Sequence, residues 1–219
     1  MNISSYKSII FDCDGVLLNS NQIKTEAFYQ TVLPYGEDLA RKFVNYHREN
    51  GGISRNKKFQ YFIENIASIT KHDLEVSNLL SRYGSIVVDG LNKCEICEDL
   101  ELLRNKDAQV KWFVVSGGNE LEIKEVFKKK KMFQYFNGGI FGSPKSKDSI
   151  FKNLIDENII DFPAIYLGDS RYDHEVASKY LIDFLFIHGW TEFDDWQNYC
   201  ASQSIKSTEK IKNLADFWT

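Results

Sequence analysis

The chain has 219 residues, with 27 Lys and Arg against 31 Asp and Glu, for a formal net charge of −4. Hydrophobic residues at 43% and aromatics at 14% exclude a disordered chain and allow a sizeable core, in one domain with a large insert or in two unequal domains. Slight acidity without a basic stripe argues against a nucleic-acid partner, no apolar run is long enough to span a membrane, and the start MNISSYKSII lacks the apolar core of a secretion signal, so a cytoplasmic protein is expected.

The first predicted element, Ser8 to Phe11, is a short apolar run suited to a buried parallel strand. It ends in Asp12 and Asp14, which share a face in extended backbone while Cys13 points to the other. Gly15 then permits a sharp turn. Two acids held together at a strand end repel, and need a cation, a proton or a substrate to offset that cost. A loop whose aspartates cap the next helix is the simpler alternative.

Ser20 precedes an amphipathic helical pattern, NQIKTEAFYQTVL, which stops before Pro34. EDLARKFVNYHRE, residues 37–49, repeats the pattern, and Gly51-Gly52 end it. Ser54 is placed to cap a third helix, RNKKFQYFIENI, and Thr70 or Asp73 opens a fourth through Leu79 to Tyr83. Residues 19–88 therefore read as an inserted all-α unit, and residues 1–18 with 89–219 as the main domain.

Further on, a helix around Ile96 to Arg104 precedes a strand, Val110 to Val115, that ends in Ser116-Gly117-Gly118. Glu120 to Lys131 suits a helix, with acids early and lysines late as the dipole favours. Gly138 to Phe141 reads as a short strand, Gly142 to Ser149 as a polar loop, and IFKNLIDEN as a helix. Ala164 to Leu167 is a fourth strand with GDSRYD, Gly168 to Asp173, at its end. A helix over Glu175 to Tyr180, a fifth strand at Asp183 to Ile187 and a tail helix near Thr208 to Phe217 complete the chain. Alternating strands and helices predict an α/β fold with a Rossmann-like parallel sheet. Such a sheet gathers the residues at its strand C-termini in one crevice.

Cys13, Cys94, Cys97 and Cys200 do not make a disulfide framework at this length. Cys94-x-x-Cys97 has no second ligand pair, and reads as two buried cysteines on one helix face. The histidines, His47, His72, His174 and His188, show no ligand spacing.

The crevice would thus collect Asp12, Asp14, Ser116, Asp169 and Asp173, with a lysine from the 142–149 loop. Carboxylates without His or Cys ligands suit a hard cation, Mg²⁺ first. Ser116 with the N–H groups of Gly117 and Gly118 would offer donors to a phosphoryl group, and the lysine positive charge. One aspartate could attack phosphorus to give an aspartyl-phosphate, while a second protonates the leaving oxygen and then activates water.

The motifs DCDGV (Asp12 to Val16), VVSGG (Val114 to Gly118), GSPKSK (Gly142 to Lys147) and GDSRYD, in that order, resemble those of the haloacid dehalogenase superfamily, in its phosphatase type with an α-helical cap inserted after the first strand. The resemblance implies Asp12 as nucleophile and metal ligand, and Asp14 as general acid/base whose backbone carbonyl also reaches the metal. It implies Ser116 and Gly117 as phosphate binders, and Lys147, in preference to Lys145, as the group that neutralises phosphate and orients Asp12. Asp169 would ligate Mg²⁺, and Asp173 would ligate it or hold its water, with a helix N-terminal charge as the alternative for Asp173. The dehalogenases of the superfamily lack the acid at Asp14, which favours phosphomonoester hydrolysis. Three positions depart from common patterns: Asn19 where many relatives carry Asp, Gly117-Gly118 after the serine, and Lys24 where the sugar phosphomutases place a His.

The cap should choose the substrate. Arg55, in GGISRNKKF, is the first candidate to grip a second anionic group there, ahead of Lys24, Lys57 and Lys58. The expectation is a Mg²⁺-dependent phosphomonoester hydrolase, monomeric or homodimeric, acting on a small phosphorylated metabolite such as a sugar phosphate. A phosphomutase and a non-catalytic binding module are the alternatives.

Overall fold

Ser8 to Phe11 are all fully buried, a pattern that requires a strand with layers packed on both faces. In the computed structural model, which describes residues 2–68, 72–106 and 109–217, they form the inner strand β1 (Ser8–Phe11). The described elements continue as α1 (Asn21–Val32), α2 (Glu37–Glu49), α3 (Arg55–Tyr61), α4 (His72–Lys93), α5 (Leu100–Lys106), β2 (Lys111–Asn119), α6 (Glu120–Lys129) and β3 (Gly139–Ser143). There follow α7 (Lys147–Asp156), β4 (Ala164–Gly168), α8 (Arg171–Lys179), β5 (Asp183–Ile187), α9 (Trp196–Ser202) and β6 (Lys206–Thr208). The six strands are all parallel, in the order β3-β2-β1-β4-β5-β6.

Chain direction across the sheet reverses between β1 and β4, and ligands bind at such a switch point in open parallel sheets. Phe11 is in register with Val114 of β2 and Leu167 of β4, so the motifs that follow these strands emerge at one level. Alternation divides the core. Ile9 and Phe11 pack on the face covered by α6, with Trp112 and Phe127, whereas Ile10 joins Phe113, Phe151 and Tyr166 under α7 and α8.

The four helices between Asn21 and Lys93 pack through an aromatic core of their own. The Phe28 ring lies 5.6 Å from Phe43, 5.3 Å from Phe59 and 4.5 Å from Tyr83. Each such burial stabilises by about 1.5–3 kcal/mol, which lets short helices persist. Among the described residues no helix is long and apolar enough to cross a membrane.

Several elements differ from the sequence reading. Thr70 lies outside the described residues, and Asp73 falls inside α4, which runs on to Lys93, past the expected boundary at 88. Cys94 and Cys97 follow that helix and share no helix face. Both are buried, Cys94 Sγ donates to the Leu91 carbonyl, and Cys97 N–H donates to that of Leu17. Ile96 bridges to Leu18, which delays α5 to Leu100. α7 begins at Lys147, inside the expected loop, because Ser146 caps it by accepting from Ser149 N–H. Neither Ser20 nor Ser54 makes a side-chain cap. α9 and β6 were not expected, and the tail forms a 3₁₀ segment, Ile211–Phe217.

Candidate active site

Asp12 leaves β1 into the switch-point crevice and is 4% exposed. Its backbone N–H donates to the Leu167 carbonyl, which fixes it beside β4. Lys147, the first residue of α7, is buried, with Nζ 3.0 Å from Asp12 Oδ1 and 2.5 Å from Asp173 Oδ1. The contact to Asp12 is out of line for a hydrogen bond, so that buried carboxylate oxygen has no hydrogen-bond donor. Burial pushes the Asp12 pKa up to about 7; Lys147 pulls against it, while Asp173 and Asp14 add to it. Lys145 is exposed.

Asp169 follows β4 and is raised well above the usual carboxylate range, first by burial and then by Asp12 and Asp173. Its Oδ2 accepts from Asn21 Nδ2 at 2.7 Å, and its backbone carbonyl accepts from Thr191 Oγ1 at 2.6 Å. A Cβ at Gly15 would fall 2.0 Å from that Oδ2, and the residue has φ +76°, so the turn after Asp14 admits only glycine without rearrangement.

Carboxylate oxygens of Asp12, Asp169 and Asp173 lie within 4.8 Å of one another, all buried. Three acids facing one lysine leave excess negative charge, which a cation would balance. An all-oxygen donor set suits a hard divalent ion. Asp173 stands apart from the other two because both its oxygens are already engaged. Oδ1 accepts from Lys147 and from Tyr166 OH at 2.8 Å, while Oδ2 accepts from Ser170 N–H and Oγ in a capping box at the start of α8. Its geometry is that of a support for Lys147 and for the helix.

Asp14 turns toward α1. It accepts from Ser20 Oγ at 2.6 Å and forms an ion pair with Lys24. Burial alone would raise its pKa, but Lys24 and these hydrogen bonds outweigh it, and Asp14 sits below the usual carboxylate value. Ser116 is buried at the end of β2, where its Oγ accepts from Gly118 N–H at 3.0 Å. That N–H, expected to serve a phosphoryl group, is therefore occupied; Gly117 and Gly118 line the cavity above.

Arg55 also lines the cavity, but its guanidinium donates to both Glu122 oxygens of α6, at 2.9 and 2.7 Å. The charge expected to grip substrate is thus paired across the boundary between the helices and the sheet domain. The cavity itself is about 340 Å³, with Asp12, Asp14 and Asp169 on the sheet side and Lys24, Lys58 and Tyr83 on the helical side.

Sequence reasoning missed three features here. Asn21 and Thr191 orient Asp169 without belonging to any motif. Gly51-Gly52, read only as a helix stop, form a loop laid over the site: Cβ atoms there would meet Ser170 at 3.1 and 2.9 Å, and one at Gly117 would meet the Gly52 carbonyl at 2.3 Å. The paired glycines were the available signal. His47 reaches the cavity wall from α2, beside Lys58, which the sequence had named as a candidate.

Comparison with known families matches residues 9–187 to the model described as haloacid dehalogenase-like hydrolase. A comparison with curated proteins finds no match. Among solved structures, a haloacid dehalogenase-like family hydrolase from Streptococcus pneumoniae is 21% identical, covering 98% of this chain and 100% of its own, with a TM-score of 0.67. A predicted phosphatase from Clostridium acetobutylicum is 17% identical, covers 96% and 97%, and has a TM-score of 0.74. A hydrolase from Pseudomonas syringae is 14% identical, covers 96% of each chain, and has a TM-score of 0.72. These likenesses show a shared fold.

Proposed function

Because the chain belongs to the haloacid dehalogenase-like hydrolases, we propose that it is a Mg²⁺-dependent phosphatase that cleaves a phosphomonoester of a small metabolite, a sugar phosphate or a similar compound. The observation that carries this reading is the buried group of Asp12, Asp169 and Asp173 around Lys147 at the sheet switch point. The description of the Clostridium acetobutylicum neighbour as a predicted phosphatase agrees with it.

On this reading Asp12 and Asp169 hold the ion with the backbone carbonyl of Asp14, while Asp173 holds Lys147. When bound, Mg²⁺ would neutralise part of the acidic charge and polarise the phosphoryl oxygens. Asp12 attacks phosphorus and the ester oxygen leaves with a proton from Asp14, giving an aspartyl-phosphate. Asp14 then takes a proton from the water that releases phosphate. Lys147 balances the charge gathered at Asp12, and Gly117 with the buried Ser116 shapes the phosphoryl seat. Asp14 must be protonated for the first step, so substrate must loosen its pair with Lys24. The helices α1 to α4 act as the cap, and their Gly51-Gly52 loop covers the reacting groups.

Phosphate release from p-nitrophenyl phosphate tests the proposal. Release should need Mg²⁺ and fall by at least about 10³-fold in Asp12→Asn. Activity that survives this change, or persists in excess chelator, refutes the mechanism.

A further inference from the structure

Helix α1 opens without a side-chain cap, although Ser20 and Asn21 stand at its start and both are capping residue types. Each side chain is turned instead to a carboxylate of the site. Ser20 Oγ donates to Asp14 at 2.6 Å. Asn21 Nδ2 donates to Asp169 Oδ2 at 2.7 Å and to the Trp190 carbonyl at 2.8 Å. That carbonyl can only accept, so the amide nitrogen, not the amide oxygen, faces Asp169. A missing cap costs a helix about 1 kcal/mol, so this start favours the two acids at the expense of the helix.

The surroundings of Asp169 close off the oxygen that Asn21 holds. The Gly15 backbone lies against it: a Cβ there would fall 2.0 Å from Oδ2 and 2.4 Å from Asn21 Nδ2. The segment after β5 fixes both members of the pair. Trp190 accepts from Asn21, Thr191 Oγ1 donates to the Asp169 carbonyl, and Glu192 accepts at 2.5 Å from Thr25, one turn further along α1. Asp169 lines the cavity, and among the described residues its Oδ1 accepts no hydrogen bond. One oxygen of this carboxylate is held and the other is free.

On the reading that Asp12 and Asp169 hold the cation, we propose that Asn21 is a positioning residue for it: the amide at the root of the helical unit occupies one oxygen of Asp169 and presents the other alone. A carboxylate offered through one oxygen suits Mg²⁺, which demands octahedral geometry, whereas Ca²⁺ takes more oxygens and accepts carboxylates through both. Asp173 cannot make up the difference, since both its oxygens are engaged. Groups that orient a metal ligand without touching the ion change affinity by about 10–100-fold. Asn21 is the first residue of α1, so the strength of the cation site depends on how the helical unit is rooted as well as on the strand ends.

Calorimetric titration of the metal-free full chain with Mg²⁺ and, separately, with Ca²⁺ tests the assignment. In Asn21→Ala, Mg²⁺ should bind at least about tenfold more weakly, while Ca²⁺, now able to use both oxygens of Asp169, should lose less than about threefold. The ratio separates positioning from a merely structural role, because damage to the fold weakens both ions alike. A Mg²⁺ affinity within about threefold of the wild type overturns the assignment, as does an equal loss for the two ions. Asn21→Leu fills the same space without a donor and should reproduce the Asn21→Ala result. Where neither variant folds, the wild-type protein decides: Ca²⁺ should bind no tighter than Mg²⁺, and tighter Ca²⁺ binding overturns the assignment. Asp169→Asn keeps the two readings apart. Mg²⁺ binding that survives this change refutes the cation site itself. Binding that it abolishes, and that Asn21→Ala leaves intact, refutes only the role of Asn21.

Discussion

On the sheet side of the cavity, Asp12 and Asp169 are buried acids whose pKa values are raised; on the helical side, the buried Lys58 and the half-buried His47 are bases whose values are lowered. Removal from water is the leading cause in all four, and acts against whichever form is charged. The two walls differ in how the protein relieves that cost. The sheet side supplies its own lysine, shared between Asp12 and Asp173, and still carries more acid than that lysine balances. The helical side supplies Lys58 with uncharged groups, the His47 ring and carbonyl and the face of Phe28.

Breaking the sheet-side balance should have the largest effect. Lys147→Met leaves Asp12 and Asp173 buried without their shared counter-charge and should destabilise the fold by about 3–5 kcal/mol, read as a shift in the denaturation midpoint at constant slope. A smaller loss would mean that the acids simply protonate in its absence. Next comes the response to Mg²⁺. In the metal-free fold, Asp12 has a pKa above its unfolded value, so its contribution to stability is complete at low pH and is lost as pH rises through about 7. The ion binds only the deprotonated acids, so the rise in melting temperature on adding Mg²⁺ should be larger at pH 8 than at pH 6. An equal rise at both would place the ion elsewhere. Glu122→Gln probes the seam between the walls and should cost least, about 1 kcal/mol or less, because that carboxylate is partly exposed. A fall in ester turnover without that small cost would assign Arg55 to substrate after all.

The sheet side was legible because its chemistry follows strand ends. Once β1, β2 and β4 are parallel and in register, Asp12, Ser116 and Asp169 have to emerge together. The helical side was legible only as candidate charges, Lys24 and Lys58; the packing of aromatic side chains that brings His47 beside Lys58 leaves no spacing rule. Arg55 illustrates the gap. Its position near the site was readable, but the partner that neutralises it lies 67 residues away on α6. Ser20, placed like a helix cap, instead turns its hydroxyl to Asp14. β6 escaped notice because three residues, Lys206–Thr208, with two exposed, carry no apolar alternation.

The approach of the Gly52 carbonyl to Gly117, where a Cβ would find only 2.3 Å, makes the two parts of the chain interdependent in heredity as well as in shape. A helical insert transplanted from a relative would seat only on an acceptor that keeps bare backbone after its serine. Swapping such modules therefore means exchanging the loop and its landing point as a pair.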